Sequence, residues 1–105
     1  MPISDFTNSV IKIIKQIPKG TVTTYGNIAI LAGNPRSARQ VSWILHSSSK
    51  KYNLPWHRVI NSKGLIAMKS IDSKYSHKEM LEKEGIEFIS EFKVNLKKFL
   101  WQPKN

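Results

Sequence analysis

The sequence predicts a mainly α-helical domain with a small β-hairpin, and three observations predict it. Apolar residues recur at helical steps in three separate segments. A Gly33-Asn34-Pro35 break joins the second segment tightly to the third. Short β-prone runs follow, divided by turn residues. At 105 residues the chain is expected to form one domain over positions 1–105, with a single modest core.

Each element has a local reason. Ser4 and Asp5 can cap a first helix whose apolar stripe is Phe6, Val10, Ile13, Ile14 and Ile17, ended by Pro18 and Gly20. Thr21 to Thr24 is β-branched and polar. Tyr25 to Ala32 follows as a short second helix, capped by Thr23 or Thr24, with Ile28, Leu31 and Ala32 inward. Arg36 or Ser37 opens a third helix burying Ala38, Val41, Ile44 and Leu45. Ser47 to Lys51 reads as a polar loop. Leu54 to Ile60 is β-prone, Asn61-Ser62-Lys63-Gly64 supplies a turn, and Leu65-Ile66-Ala67 is expected to return as its hairpin partner. Ser76 to Gly85 reads as a helix with Met80 and Leu81 inward and Gly85 as its stop. The tail from Phe88 to Trp101 reads as an extended or hairpin segment packed on the domain through Phe92, Val94, Leu96 and Phe99.

Helix, tight turn, helix, then hairpin is the order of a winged helix-turn-helix. Charge says what such a domain faces. Seventeen Lys and Arg against seven Asp and Glu give a formal charge of +10. A field of that sign gathers polyanions, nucleic acid first, with an anionic membrane surface as the alternative. Arg36 and Arg39 fall in the first turn of the third helix, where cations oppose the helix dipole. They make better sense as ligands for an anion than as helix stabilisers. The result is a winged helix-turn-helix DNA-binding domain.

Other classes are narrowed by what is missing. The sequence holds no cysteine, so it has no disulfide, thiolate metal site or thiol nucleophile. Asp5, Lys12 and Lys15 interrupt the apolar residues near the start, and no run reaches the roughly 18 apolar residues of a bilayer span. A cytoplasmic monomer is expected, nuclear in a eukaryote, with no metal and no organic cofactor.

Four ordered blocks carry a family resemblance over roughly Ile17 to Gly85. They are Ile17-Pro18-Lys19-Gly20 with Thr24-Tyr25-Gly26-Asn27-Ile28-Ala29; Gly33-Asn34-Pro35 with Ala38-Arg39-Gln40-Val41; Pro55-Trp56-His57-Arg58-Val59-Ile60 with Asn61-Ser62-Lys63-Gly64; and Glu84-Gly85. Together they resemble the DNA-binding domain of the O6-alkylguanine-DNA alkyltransferases. Where those enzymes carry the cysteine that accepts the alkyl group, this sequence has Trp56. An indole is neither thiolate-like nor basic and cannot take an alkyl group. The resemblance is therefore to the alkyltransferase-like branch, whose members bind the lesion without repairing it.

That resemblance implies roles for particular residues. Arg39 is the arginine pushed into the duplex from the minor groove to fill the gap left by an extruded guanine; a planar cation suits that task. Tyr25 bonds and crowds the phosphate beside the flipped nucleotide. Arg36, Ser37 and Gln40 join Tyr25 and Arg39 as the expected DNA contacts. Tyr25, Trp56, Val59, Lys69 and Ser70 are the expected lesion pocket. Lys69 stands where alkyltransferase-like proteins often carry arginine, and Ser70 offers a donor towards O6. His57 and Glu84 are what remains of the relay that would activate the absent thiol, kept as a buried strut. Arg58 is expected to brace the wing. Ser42 replaces an expected glycine and Trp43 is bulky, so both bear on how closely the third helix approaches DNA. The sequence is read as starting just before this domain, without the separate N-terminal domain of full alkyltransferases.

The implied partners are double-stranded DNA containing O6-alkylguanine and the nucleotide excision repair proteins that receive the flagged site. Two rivals use the same residues. A sequence-specific helix-turn-helix transcription regulator would prefer a base sequence over the alkyl mark. An enzyme built on His57 and Glu84 would act on the flipped base by hydrolytic or glycosylase chemistry, yet nothing nearby supplies a second carboxylate or a nucleophile.

Overall fold

A computed structural model describes residues 4–66 and 68–103; Ala67 of the expected second strand lies outside them. Helix α1 (Asp5–Lys15) is capped by the Ser4 hydroxyl, which accepts from the Thr7 N–H. It buries Val10, Ile11 and Ile14, while Ile13 is only partly covered. Strand β1 (Thr23–Thr24) leads directly into α2 (Tyr25–Leu31), and Thr24 is the cap, accepting from Asn27 N–H. Leu31, expected inward, is exposed; Ala29 takes the buried place beside Ile28. Ile28, Ala29 and Ala32 share the inward face at steps of one and three, which leaves Leu31 on the outer side of the turn.

Gly33 makes the turn at φ +89°, where a side chain is strained. Helix α3 (Ala38–Tyr52) follows, packed on α1 and α2 through Val41, Ile44 and Leu45. It runs straight through Ser47 to Lys51, which are helix rather than loop. The serines are accommodated by back-bonding: the Ser47 hydroxyl donates to Ile44 O at 3.3 Å, and that of Ser49 to Leu45 O.

The strands pair differently from expectation. Trp56–Arg58 is a 3₁₀ turn, and only Val59–Ile60 is strand (β2). β2 pairs in parallel with β1, Thr23 opposite Val59 and Thr24 opposite Ile60. Leu65 bridges Lys93 instead of closing a ladder on residues 54–60. The hairpin lies in the tail, β3 (Phe88–Ser90) against β4 (Lys93–Val94), followed by the short α5 (Leu96–Phe99). Val22 then bridges Leu100, with Val22 N–H bonded to Phe99 O and Trp101 N–H to Val22 O. Gly64 allows this arrangement, because a Cβ there would meet Val94 O at 3.1 Å.

Helix α4 (Ile71–Lys83) starts five residues earlier than its apolar pattern suggests, with the Ser70 hydroxyl as cap. Leu81 is buried and Met80 is not. Two apolar clusters result. One joins α1, α2 and α3 to Leu54 and Val59; the other gathers Val22, Ile60, Ile66, Leu81, Ile86 and Val94. The fold is mainly helical with small sheets, as the sequence predicts. No helix among the described residues is long and apolar enough to cross a membrane.

Candidate nucleic-acid interface

The start of α3 and the turn before it present a cationic face that is exposed among the described residues. Arg36, Arg39, Gln40 and Trp43 are exposed, and with Ser37 they line a shallow surface cleft. Ser37 stands at the N-cap position but its side chain makes no capping bond. Among the described residues neither Arg36 nor Arg39 is ion-paired.

Beside this face lies a cleft of about 300 Å³. Tyr25, at the first position of α2, and Trp56, at the start of the 3₁₀ turn, form two of its walls. Burial raises the Tyr25 phenol above its ordinary 10.0, so it stays a neutral hydroxyl able to donate. Met68 and one face of α3 complete the lining. That face is Ser42, Leu45, His46 and Ser49, at steps of three, one and three. The spacing is present in the sequence, but a loop over residues 47–51 would hide it. A second cleft of about 690 Å³ adjoins the first through Ser42, His46 and Met68, and carries Arg39, Trp43, Lys69 and Ser73.

The expected pocket residues therefore divide. Tyr25 and Trp56 share the inner cleft, and Lys69 lines the adjoining one. Val59 is not a lining residue: its strand position turns it into the helical core, where it is 1% exposed. Ser70 is not one either, since its hydroxyl is used at the start of α4, accepting from Ser73 N–H at 3.1 Å.

Behind Trp56 stands a polar node. His57 Nε2 lies 2.7 Å from Glu84 Oε2. Arg58 forks onto the same carboxylate, Nε to Oε1 at 2.9 Å and Nη2 to Oε2 at 2.8 Å, while Nη1 donates to Ile17 O at 2.9 Å. The Gly20 N–H donates to Oε1 at 3.3 Å. Burial alone would raise the Glu84 carboxyl; the donors from Arg58, then His57, then Gly20 outweigh it and hold it at about 2. Arg58 thus braces the end of α4 against the segment after α1, not a wing. An ionised Glu84 accepts from His57, which fixes the imidazole with Nε2 as donor.

A second histidine completes the backing. His77 is 3% exposed, and its ring centroid is 5.1 Å from that of Trp56. Its Nε2 donates to the His57 carbonyl at 2.6 Å, and Nδ1 is buried without a partner. Burial, the largest cause, lowers this imidazole below its ordinary 6.5 and keeps it neutral. The indole therefore meets two oriented imidazoles, His77 tilted at 57° and His57 edge to face at 86°. The sequence signals nothing about His77.

A helix-turn-helix with a cationic outer face and an aromatic cleft behind it defines a DNA-binding domain. The family model described as the DNA-binding domain of 6-O-methylguanine DNA methyltransferase matches residues 5–86, and the chain belongs to that family. A Vibrio parahaemolyticus protein called DNA base-flipping protein is 45% identical over 101 residues, 96% of this chain and 100% of the relative. Alkyltransferase-like protein 1 of Schizosaccharomyces pombe is 38% identical, covering 98% of this chain and 100% of that protein. The crystal structure of S. pombe Atl1 in complex with damaged DNA containing O6-carboxymethylguanine superposes with a TM-score of 0.84 at 37% identity, over 98% of this chain and 100% of that one.

Proposed function

We propose that this chain binds O6-alkylguanine in duplex DNA, extrudes the base into the cleft walled by Tyr25 and Trp56, and leaves the alkyl group in place. The observation that carries this reading is chemical. A His57–Glu84 pair at 2.7 Å stands immediately beside an indole, in a chain with no thiol at all. An imidazole can activate only a group that has a proton to give and a lone pair to attack with, and Trp56 offers no such nucleophile. What remains is recognition: an aromatic wall for the base, a neutral phenol at Tyr25 for a phosphate, and Arg39 free to enter the gap. The relative bound to O6-carboxymethylguanine DNA and those called base-flipping proteins support the same reading.

A complex that recognises the lesion and cannot reverse it needs a second activity to remove it. We propose that the bound complex flags the site for nucleotide excision repair.

Titration of matched duplexes carrying guanine or O6-methylguanine, at stated salt, tests the first step. Tighter binding to the alkylated duplex is expected, and equal affinities would overturn the lesion reading in favour of a sequence-reading regulator. The alkyl group should be recovered intact after long incubation; its loss would establish an enzyme. Excision by purified nucleotide excision proteins should rise when this chain is added, and an unchanged excision rate would remove the flagging role.

A further inference from the structure

Trp43 stands on the exposed face of α3 beside Arg39. Its side chain is 68% exposed, an unusual position for the largest apolar residue. It lies one helical turn after Arg39, so both side chains share a face. It lines the shallow cleft with Arg36 and Gln40, and also the larger cleft with Arg39 and Lys69. No acidic residue lines either cleft. Trp56 is backed by two imidazoles, whereas no aromatic ring or cation among the described residues packs on Trp43. An open indole face ringed by cations suits a polyanion that also presents flat apolar rings, which is the description of opened DNA.

We propose that Trp43 is a second DNA-contacting aromatic, its indole stacking on the nucleotide that flanks the extruded guanine, at the step Arg39 opens. This rests on the extrusion reading. Arg39 supplies charge and a planar donor to the gap, and Trp43 supplies the apolar surface that a displaced neighbouring base would otherwise lose. The contact is non-ionic, so it adds affinity without adding salt dependence.

The test compares the full chain with W43A and W43F on three duplexes alike except at one position: guanine, O6-methylguanine, or a stable abasic analogue. Fluorescence anisotropy with a labelled duplex gives the affinities at fixed salt. W43A should weaken binding to the alkylated and abasic duplexes by roughly 5- to 160-fold, the size of one base–aromatic contact. It should change binding to the guanine duplex less than twofold, and W43F should restore most of the loss. The slope of affinity against salt should not change. Losses under twofold on both opened duplexes would overturn the proposal, as would an equal loss on all three, which describes a groove contact indifferent to extrusion. The abasic duplex already has its gap, so that arm decides Trp43 even if the native chain fails to tell O6-methylguanine from guanine. Should W43A fold poorly, W43F against W43Q on the same duplexes decides the matter in the same terms.

Discussion

Arg58 and Arg39 carry the same charge under opposite conditions. Arg58 is 17% exposed and spends its donors inside the molecule, on both oxygens of Glu84 and on the Ile17 carbonyl. Arg39 is exposed, its helix has no acidic residue in the first turn, and no carboxylate among the described residues meets it. One guanidinium holds the protein together, and the other is left without a protein acceptor among the described residues. The +10 charge of the chain is thus not uniform in meaning. A cation next to the site can be purely structural, and the distinction shows only in its partners.

Substitution should pull the two regions apart. Glu84→Ala strands Arg58 and His57 without their acceptor, so stability should fall by about 3–5 kcal/mol, the cost of breaking a largely buried pair; urea unfolding measures it. A loss below about 1 kcal/mol would mean that solvent replaces the carboxylate easily. Acid probes the same node without mutation. Glu84 is held at about 2 against an ordinary 4.5, so its stabilisation is complete above 4.5 and disappears as pH falls from there towards 2. His77, lowered from 6.5, acts in the same direction from a higher pH, because the unfolded chain takes up its proton first. Thermal midpoints should therefore begin to drop below pH 6.5 and fall more steeply below 4.5.

Arg39→Ala should do the reverse, leaving stability within about 0.5 kcal/mol while binding to an O6-methylguanine duplex weakens by about 3 kcal/mol. The guanine duplex should lose less, and equal losses would reduce Arg39 to a phosphate contact. Trp56→Ala should lower discrimination between the two duplexes by about 1–3 kcal/mol, one base–aromatic contact. Trp56→Cys sharpens the point: little or no alkyl transfer is expected by mass spectrometry, because a thiol placed where an indole packed lacks the geometry that transfer demands.

Much of this fold is written locally. The first two helices begin where their caps and apolar spacing put them, since Ser4, Thr24 and the stripe of α1 act within a turn or two of chain. Pairing between distant segments is not local. Val59 and Ile60 have the residue types of a hairpin strand, yet their partner is Thr23 and Thr24, and Leu65 finds Lys93. Either pairing satisfies the same backbone groups, and only packing chooses. The serine-rich end of α3 misleads for another reason: serine disfavours helix interiors unless its hydroxyl is absorbed by a carbonyl one turn back. In the site, Trp56, His57 and Glu84 are legible only through the family resemblance. His77 carries no sequence signal, because its place behind the indole depends on how α4 docks.

The bonds between Val22 and the tail have a consequence for the order in which the molecule is made. Val22, just before β1, is held by Phe99 and Trp101, so this clasp spans most of the chain. On a ribosome, Tyr25, Arg39 and Trp56 all emerge well before residues 99–101 can close it. Long-range closure of this kind is slow compared with helix formation. A nascent chain stalled before Phe99 should therefore show helices but be cut readily by protease around residues 20–24, and protection there should arrive only once Trp101 has emerged. The clasp joins one of the early segments of the chain to one of the last, so it is among the final contacts to form.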